Sequence, residues 1–506
     1  MTTTLVAPQS RAARVVRTGR SPWLTIAILG IVGGGVTAVG IGVPSFWGDE
    51  AASVLSAERP LSSLLGELLH VDAVHGLYYL FLHFWIGIAG SSETAVRFPS
   101  VVAAGFAVAG TAALGRELFG MRVAVIAGVA ALAIPQLTRM AIEGRSYAFG
   151  MAAAVWLTWT LVRLVRRGED RRRIWAVYGI GAGLSVVLFL YLALMILVHL
   201  VVLLAHRPSR QVVRRWLEAL LVAALVSLPL LAVASAQQHQ IAFLAHRHYA
   251  TAGNVVVRQW FGTWYEAALA WTLIAAGALI VLCRPTTART RSGALVVWAW
   301  LIVPTALLLM GNAWLHPMYN MRYVAFCVPA VALAIALGID GLAGLARPRG
   351  LRPAVAVMLT AALLAAAAPT FAAQRRPFAR DGGSDLRQIA TAVQLHAEPG
   401  EAVIFDESTK PRQKRRLALD LYPEAFAGLD DIALVAPAAQ GTGLWDRVAP
   451  LHQLTAQVLA HSIVWAVESE HSASGDVERL QALGYRVTQT IPLHRTVLYE
   501  LTKEPS

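Results

Sequence analysis

The chain has 506 residues, 57% hydrophobic and 14% charged, with a formal net charge of +13. Soluble domains are nearer half apolar and a quarter charged, which excludes an ordinary cytosolic enzyme, a disordered chain and a fibrous protein. The charge does not point to nucleic acid: 40 of the 43 basic residues are Arg, and 22 of these fall in six stretches at 1–22, 115–122, 163–173, 206–215, 284–291 and 347–352. Short basic loops between apolar runs are the positive-inside pattern of a polytopic membrane protein.

In chain order, residues 1–22 read as a basic cytoplasmic N-terminus. The apolar run Trp23–Val43 is long enough to span, and no small-residue cleavage pattern follows it. Ten further spans are expected at about 98–115, 122–137, 146–165, 174–189, 190–206, 215–235, 266–283, 293–310, 322–344 and 354–373. Residues 75–90 (HGLYYLFLHFWIGIAG) are apolar but short and aromatic. As a span they would place half of the later Arg-rich stretches outside. As an interfacial helix they leave all six inside. Four segments then face outward before the tail: 44–97, 138–146, 236–265 and 311–321. From about 374 the chain turns polar and mixed in charge. β-type runs at 402–406, 431–437, 462–468, 485–493 and 495–502, with helical patterns near 384–396 and 474–483, predict an extracytoplasmic α/β domain over 374–506. The expected fold class is a polytopic α-helical membrane protein of about eleven transmembrane helices, the module 23–373, carrying this small C-terminal domain. Cys283 and Cys327 lie in or beside apolar spans, so neither a disulfide framework nor a Cys-based metal site follows.

The chemistry-bearing residues lie in the outward segments. Asp49 and Glu50 follow the outer end of the first span. A carboxylate at a membrane interface can serve as a general base, or simply as a solvated stop to the helix. Asp72 and His75 precede the interfacial helix, where His75 could orient a substrate, bind metal or cap the helix. Outside the tail only seven Arg face outward: Arg59, Arg97, Arg139, Arg145, Arg247, Arg258 and Arg322. Arg145, in the short element Glu143-Gly144-Arg145-Ser146-Tyr147, and Arg322, after His316 and before Tyr323, suit a phosphate held by parallel hydrogen bonds. Snorkelling to lipid head groups is the plainer alternative for both. His246-Arg247-His248 carries a His-x-His pair without a third ligand, which favours a surface or channel role over metal. The basic run 410–416 (KPRQKRR) reads as a solvated loop.

These residues resemble the GT-C-type membrane glycosyltransferases, in the bacterial branch related to protein O-mannosyltransferases and the lipid A aminoarabinose transferase. The resemblance covers about 44–340. It rests on Phe46-Trp47-Gly48-Asp49-Glu50-Ala51, His75-Gly76-Leu77-Tyr78-Tyr79, Arg97-Phe98-Pro99-Ser100, Glu143-Gly144-Arg145-Ser146-Tyr147-Ala148 and Arg322-Tyr323, in that order. It implies a polyprenyl-phosphate-linked sugar donor, inversion at the anomeric carbon, and an acceptor that is a protein, a glycolipid or a cell-wall glycan. Asp49 would be the catalytic base with Glu50 beside it, and Arg145 and Arg322 would hold the donor phosphate. His75, Tyr78, Glu143, Tyr147, His316 and Tyr323 would shape the pocket. Some relatives use a divalent metal and others none; Glu50, His75 and Glu143 are the candidate ligands. The family's Pro-Pro after the His is Gly76-Leu77 here, and Ser146 stands for a Pro. The Arg-for-Lys bias and Ala-rich spans suggest a GC-rich bacterium, whose plasma membrane would hold the protein. A flippase of lipid-linked sugar is the alternative, but it would want ionisable residues at mid-membrane, where His199 is nearly alone.

Overall fold

The computed structural model describes residues 21–237, 249–315 and 317–505. Helix α1 (Pro22–Ala38) begins on a proline whose missing N–H costs nothing at the first helical position. Three short helices follow, α2 (Gly48–Glu58), α3 (Leu61–Leu68) and α4 (Gly76–Ala89). The helical bundle continues with α5 (Glu93–Leu118), α6 (Met121–Leu132), α7 (Pro135–Ala141), α8 (Tyr147–Arg167), α9 (Arg172–Leu188), α10 (Met195–His206), α11 (Arg210–Ala236), α12 (Trp264–Cys283), α13 (Ala288–Trp314), α14 (Val328–Leu345) and α15 (Arg352–Ala373).

Seven of these, α5, α8 and α11–α15, are long and apolar enough to cross a membrane, and the α6–α7 pair makes an eighth. The protein is a multi-pass membrane protein. Helix occupies each of the eleven expected spans, although those at 23–43, 174–189 and 190–206 are short. The span expected at 122–137 is not straight. Pro135 cannot donate to the preceding turn, so the helix stops at Leu132 and resumes as α7, bent by 65°. Helix α14, with the turn before it, is the axis of the bundle: 89% of its apolar window is buried, against 17% for α11 and for α15, whose faces are left for lipid.

In the tail, α16 (Leu386–His396) leads into a five-stranded sheet. Strand β1 (Ala402–Phe405) is buried at every position, as expected of a central parallel strand. Helix α17 (Leu417–Leu421) follows, then β2 (Asp430–Asp431), β3 (Leu434–Ala436), β4 (Arg447–Val448), β5 (Ile463–Ser469), β6 (Tyr485–Pro492) and β7 (Thr496–Lys503). The sheet order is β2-β1-β5-β7-β6, with β1 parallel to β2 and β5, and β7 antiparallel to β5 and β6. The single strand expected at 431–437 divides: β2 joins this sheet, whereas β3 pairs with β4 in a separate ribbon.

The tail is not a detached domain. Leu386, Ile389 and Val393 of α16, Phe405 and Trp465 of the sheet, and Leu417 and Leu421 share one apolar core with Phe46, Val54, Leu64 and Leu82 of the first loop. Burial of this kind contributes roughly 25 cal/mol per Å² of apolar surface, so loop and tail hold each other in place.

Candidate active site

The site begins with Trp47, whose extended backbone ends the loop and lets α2 start at Gly48. Asp49 and Glu50 occupy the first turn of α2, where the unpaired amides favour negative charge. The two carboxylates diverge. Glu50 turns inward and is fully buried. Its oxygens accept from Arg97 Nε at 2.7 Å and Nη2 at 2.6 Å, and Oε1 also accepts the Gly144 N–H at 2.9 Å. Arg97 Nη1 donates to the carbonyls of Ile41 and Pro44. This pair ties α2, α5, the end of the first span and the loop before α8 together, with every donor used inside the protein.

Asp49 turns the other way, into a cavity of about 470 Å³. Arg322 Nη1 donates to Asp49 Oδ2 at 2.7 Å and to Glu143 Oε1 at 3.1 Å. The Arg322 guanidinium lies over the Trp47 ring at 5.1 Å and the Tyr147 ring at 5.7 Å, and its other side-chain nitrogens make no hydrogen bond among the described residues. Arg145 Nη1 donates to Tyr79 Oη at 2.8 Å, and Tyr79 Oη donates to Asp72 Oδ2 at 2.8 Å. Burial pushes the Asp49 carboxyl up, but Arg322 and Arg145 more than offset it and hold the pKa below the usual Asp value. His75 is pushed down to about 4, by burial first and by Arg145 next, so it is neutral at pH 7. Its Nδ1 is buried without a hydrogen-bond partner among the described residues.

The cavity has two characters. Asp49, Asp72, His75, Arg145, Arg322 and Arg412 make a polar end with three guanidinium groups against two carboxyl groups, whereas Leu190, Leu231 and Ala234 give it an apolar wall. Tyr191 and Tyr323, which also line it, stack with ring centroids 4.4 Å apart. Such a space accepts an amphiphile whose anionic head meets the guanidinium groups.

The structure therefore gathers Asp49, His75, Arg145, Tyr147, Arg322 and Tyr323 around one cavity, with Glu143 behind Arg322. Two residues expected here lie elsewhere. Glu50 is spent on Arg97, as burial of an unpaired carboxylate would demand. Tyr78 is fully buried against Phe81 and Phe149, away from the cavity lining. His316, His246, Arg247, His248 and most of the basic N-terminal stretch fall outside the described residues. The candidate metal set does not fit an ion: Glu50 is bound by Arg97, and Glu143 faces Arg322 and Arg380. No group of three His, Cys, Asp or Glu able to hold a metal occurs among the described residues.

Sequence reading missed the tail's share. Arg412, Leu444 and Trp445 line the cavity across from α2. The chain passes so close that a Cβ on Gly48 would sit 2.1 Å from the Arg412 carbonyl oxygen, which is why glycine stands there. Nor is the basic run at 410–416 a solvated loop. Arg415 and Arg416 are buried; Arg416 pairs with Asp431 and Asp446, and Arg415 donates to the Arg495 carbonyl.

The architecture is a GT-C-type fold, mostly helical with a small sheet-bearing C-terminal region. It matches the crystal structure of ArnT from Cupriavidus metallidurans bound to undecaprenyl phosphate, with a TM-score of 0.60 at 14% identity over 95% of this chain and 98% of that one. It matches the apo state of that ArnT with a TM-score of 0.56 at 12% identity, over 94% of this chain and 97% of that one. The apo oligosaccharyltransferase of Archaeoglobus fulgidus matches at 0.50 and 13% identity, over 80% of this chain and 64% of that one. Residues 77–233 match the family model described as dolichyl-phosphate-mannose-protein mannosyltransferase. None of the curated proteins matches the chain.

Proposed function

We propose that the protein is a glycosyltransferase that moves a sugar from a polyprenyl-phosphate carrier to an acceptor hydroxyl at the outer face of a bacterial plasma membrane. The N-terminus is then cytoplasmic and the tail extracytoplasmic. One observation carries the reading: an ionised carboxylate and two guanidinium groups, Arg145 buried and Arg322 half-buried, meet at the polar end of a cavity with an apolar wall. The match to a structure holding undecaprenyl phosphate, and to a family model named for dolichyl-phosphate mannose, supports the donor class.

The donor phosphate lies between Arg145 and Arg322, and the prenyl chain follows Leu190 and Leu231. The phosphate competes with Asp49 for Arg322, whose free nitrogens already face the cavity. Released from that ion pair, Asp49 becomes a better base. It takes the proton of the acceptor hydroxyl, and the acceptor oxygen attacks the anomeric carbon. The bond from that carbon to the phosphate oxygen breaks, and the phosphate leaves with the electron pair, its charge met by the two Arg residues. A single displacement inverts the anomeric centre. Neutral His75 and Tyr147 shape the sugar subsite. Arg412 adds a third cation from the tail, as an acceptor-side or donor-side contact that closes the cavity.

The test is a transfer assay in membranes. A panel of radiolabelled polyprenyl-phosphate sugars is supplied with native envelope as acceptor. Incorporation of one sugar with inverted linkage is expected. No incorporation from any donor, together with movement of a lipid-linked sugar across the bilayer, would contradict the transferase reading.

A further inference from the structure

A second cationic cavity lies on the far side of Glu143. Its volume is about 260 Å³, and Arg139 of α7, Arg258, Arg380, Gln136 and Gln374 line it. No carboxylate lines it among the described residues. Arg139 and Arg258 are exposed to it, and neither makes an ion pair or side-chain hydrogen bond among the described residues. Arg380 is 3% exposed. Its Nη2 donates to the Ile142 carbonyl at 2.6 Å and the Arg139 carbonyl at 3.3 Å, and Nη1 stands 3.8 Å from Glu143 Oε2. Its Nε is buried and has no hydrogen-bond partner among the described residues. Three guanidinium groups around one space repel each other, and of the carboxylates just behind the lining Glu143 is already shared with Arg322, while Glu266 accepts from the Gly262 and Thr263 amides and the Thr370 hydroxyl. Such an arrangement is stable when an anion fills it.

We propose that this cavity binds a phosphate or carboxylate group carried by the acceptor. The proposal rests on the transferase reading for the word acceptor, but not for the site itself. Glu143 separates the two cavities: Arg322 touches it from the donor side and Arg380 from the other. An acceptor anchored at Arg139, Arg258 and Arg380 is then held on the side of Glu143 away from the donor cavity. Neutral acceptors lack the anchor, so the enzyme selects an anionic one. The anionic group belongs either to a lipid headgroup or to a water-soluble glycan.

Inorganic phosphate is the probe, titrated calorimetrically into the full-length protein in maltoside micelles, which carry no phosphate. Wild type is expected to bind phosphate at two sites. Arg145→Gln removes the donor-cavity site and keeps the second. Arg139→Gln combined with Arg258→Gln keeps the first and weakens the second by about tenfold or more, as loss of two charge-assisted contacts implies. Both Arg residues are exposed, so the fold tolerates the change. A double variant that binds phosphate as wild type does, or a wild type whose only phosphate disappears in Arg145→Gln, overturns the proposal. Added short-chain phosphatidylglycerol that displaces the second phosphate makes a lipid headgroup the source; no displacement makes it a soluble glycan. Failure of transfer with both phosphate sites intact would instead count against the transferase reading alone.

Discussion

Asp49 and Glu50 are consecutive carboxylates on one helical turn, yet they belong to different regions. Glu50 is sealed from solvent and its partner Arg97 spends every polar nitrogen on protein acceptors. Asp49 is reached from the cavity, and its partner Arg322 keeps nitrogens in reserve. A closed pair fixes geometry, because opening it strands a buried charge. An open pair can exchange one anion for another, as binding a phosphate requires. The strut holds the loop at 143–147 against α2, and so places Arg145 near Asp49 without taking part in the chemistry.

The largest expected effect separates the two carboxylates by activity. Asp49→Asn should lower kcat by about a thousandfold, within the usual range for a lost general base, while folded yield stays normal. Glu50→Gln should do the reverse. Breaking the buried pair destabilises by about 3–5 kcal/mol, read as a lower unfolding temperature and poor recovery of monodisperse protein. A Glu50→Gln protein as stable as wild type would erase the distinction.

Smaller changes sharpen it. Arg145→Lys keeps the charge but loses the planar fork, so KM for the donor should rise by about 10–100-fold, with KM for the acceptor little changed. Gly48→Ala forces the Arg412 backbone away from α2 and should cost several-fold in kcat/KM together with some stability; an unchanged rate would show that Arg412 does not serve the cavity. Because Asp49 is held below its ordinary value of 3.8 and His75 near 4, neither should give kcat/KM a step between pH 5.5 and 8. The smallest effect lies in the tail. Burial pushes Glu468 up from 4.5 to about 7, so the folded state holds that proton more tightly than the unfolded chain. Stability from this group is full below pH 4.5 and declines as pH rises to about 7; Glu468→Gln should flatten that slope in thermal unfolding.

The helices are legible because the apolar runs are separated by short Arg-rich stretches, and 75–90 forms a helix shorter than those able to span. The bend at Pro135 is marked only by the proline itself, because the apolar run of α6 continues right up to it. Asp49, Arg145 and Arg322 stood out because ionisable groups are rare at membrane edges. Glu50 could not be told from Asp49, since its partner lies 47 residues away and leaves no local trace. Arg412 was invisible for the same reason: only the shared core of loop and tail brings 410–416 onto α2.

The central claim is that a polyprenyl phosphate and Asp49 compete for Arg322. A cryo-EM structure of the full-length protein with undecaprenyl phosphate tests it directly. The account predicts phosphate density between Arg145 and Arg322, the prenyl chain along Leu190 and Leu231, and Asp49 released from the ion pair. Phosphate bound elsewhere, or an Arg322–Asp49 contact still at 2.7 Å with the lipid in place, would contradict it.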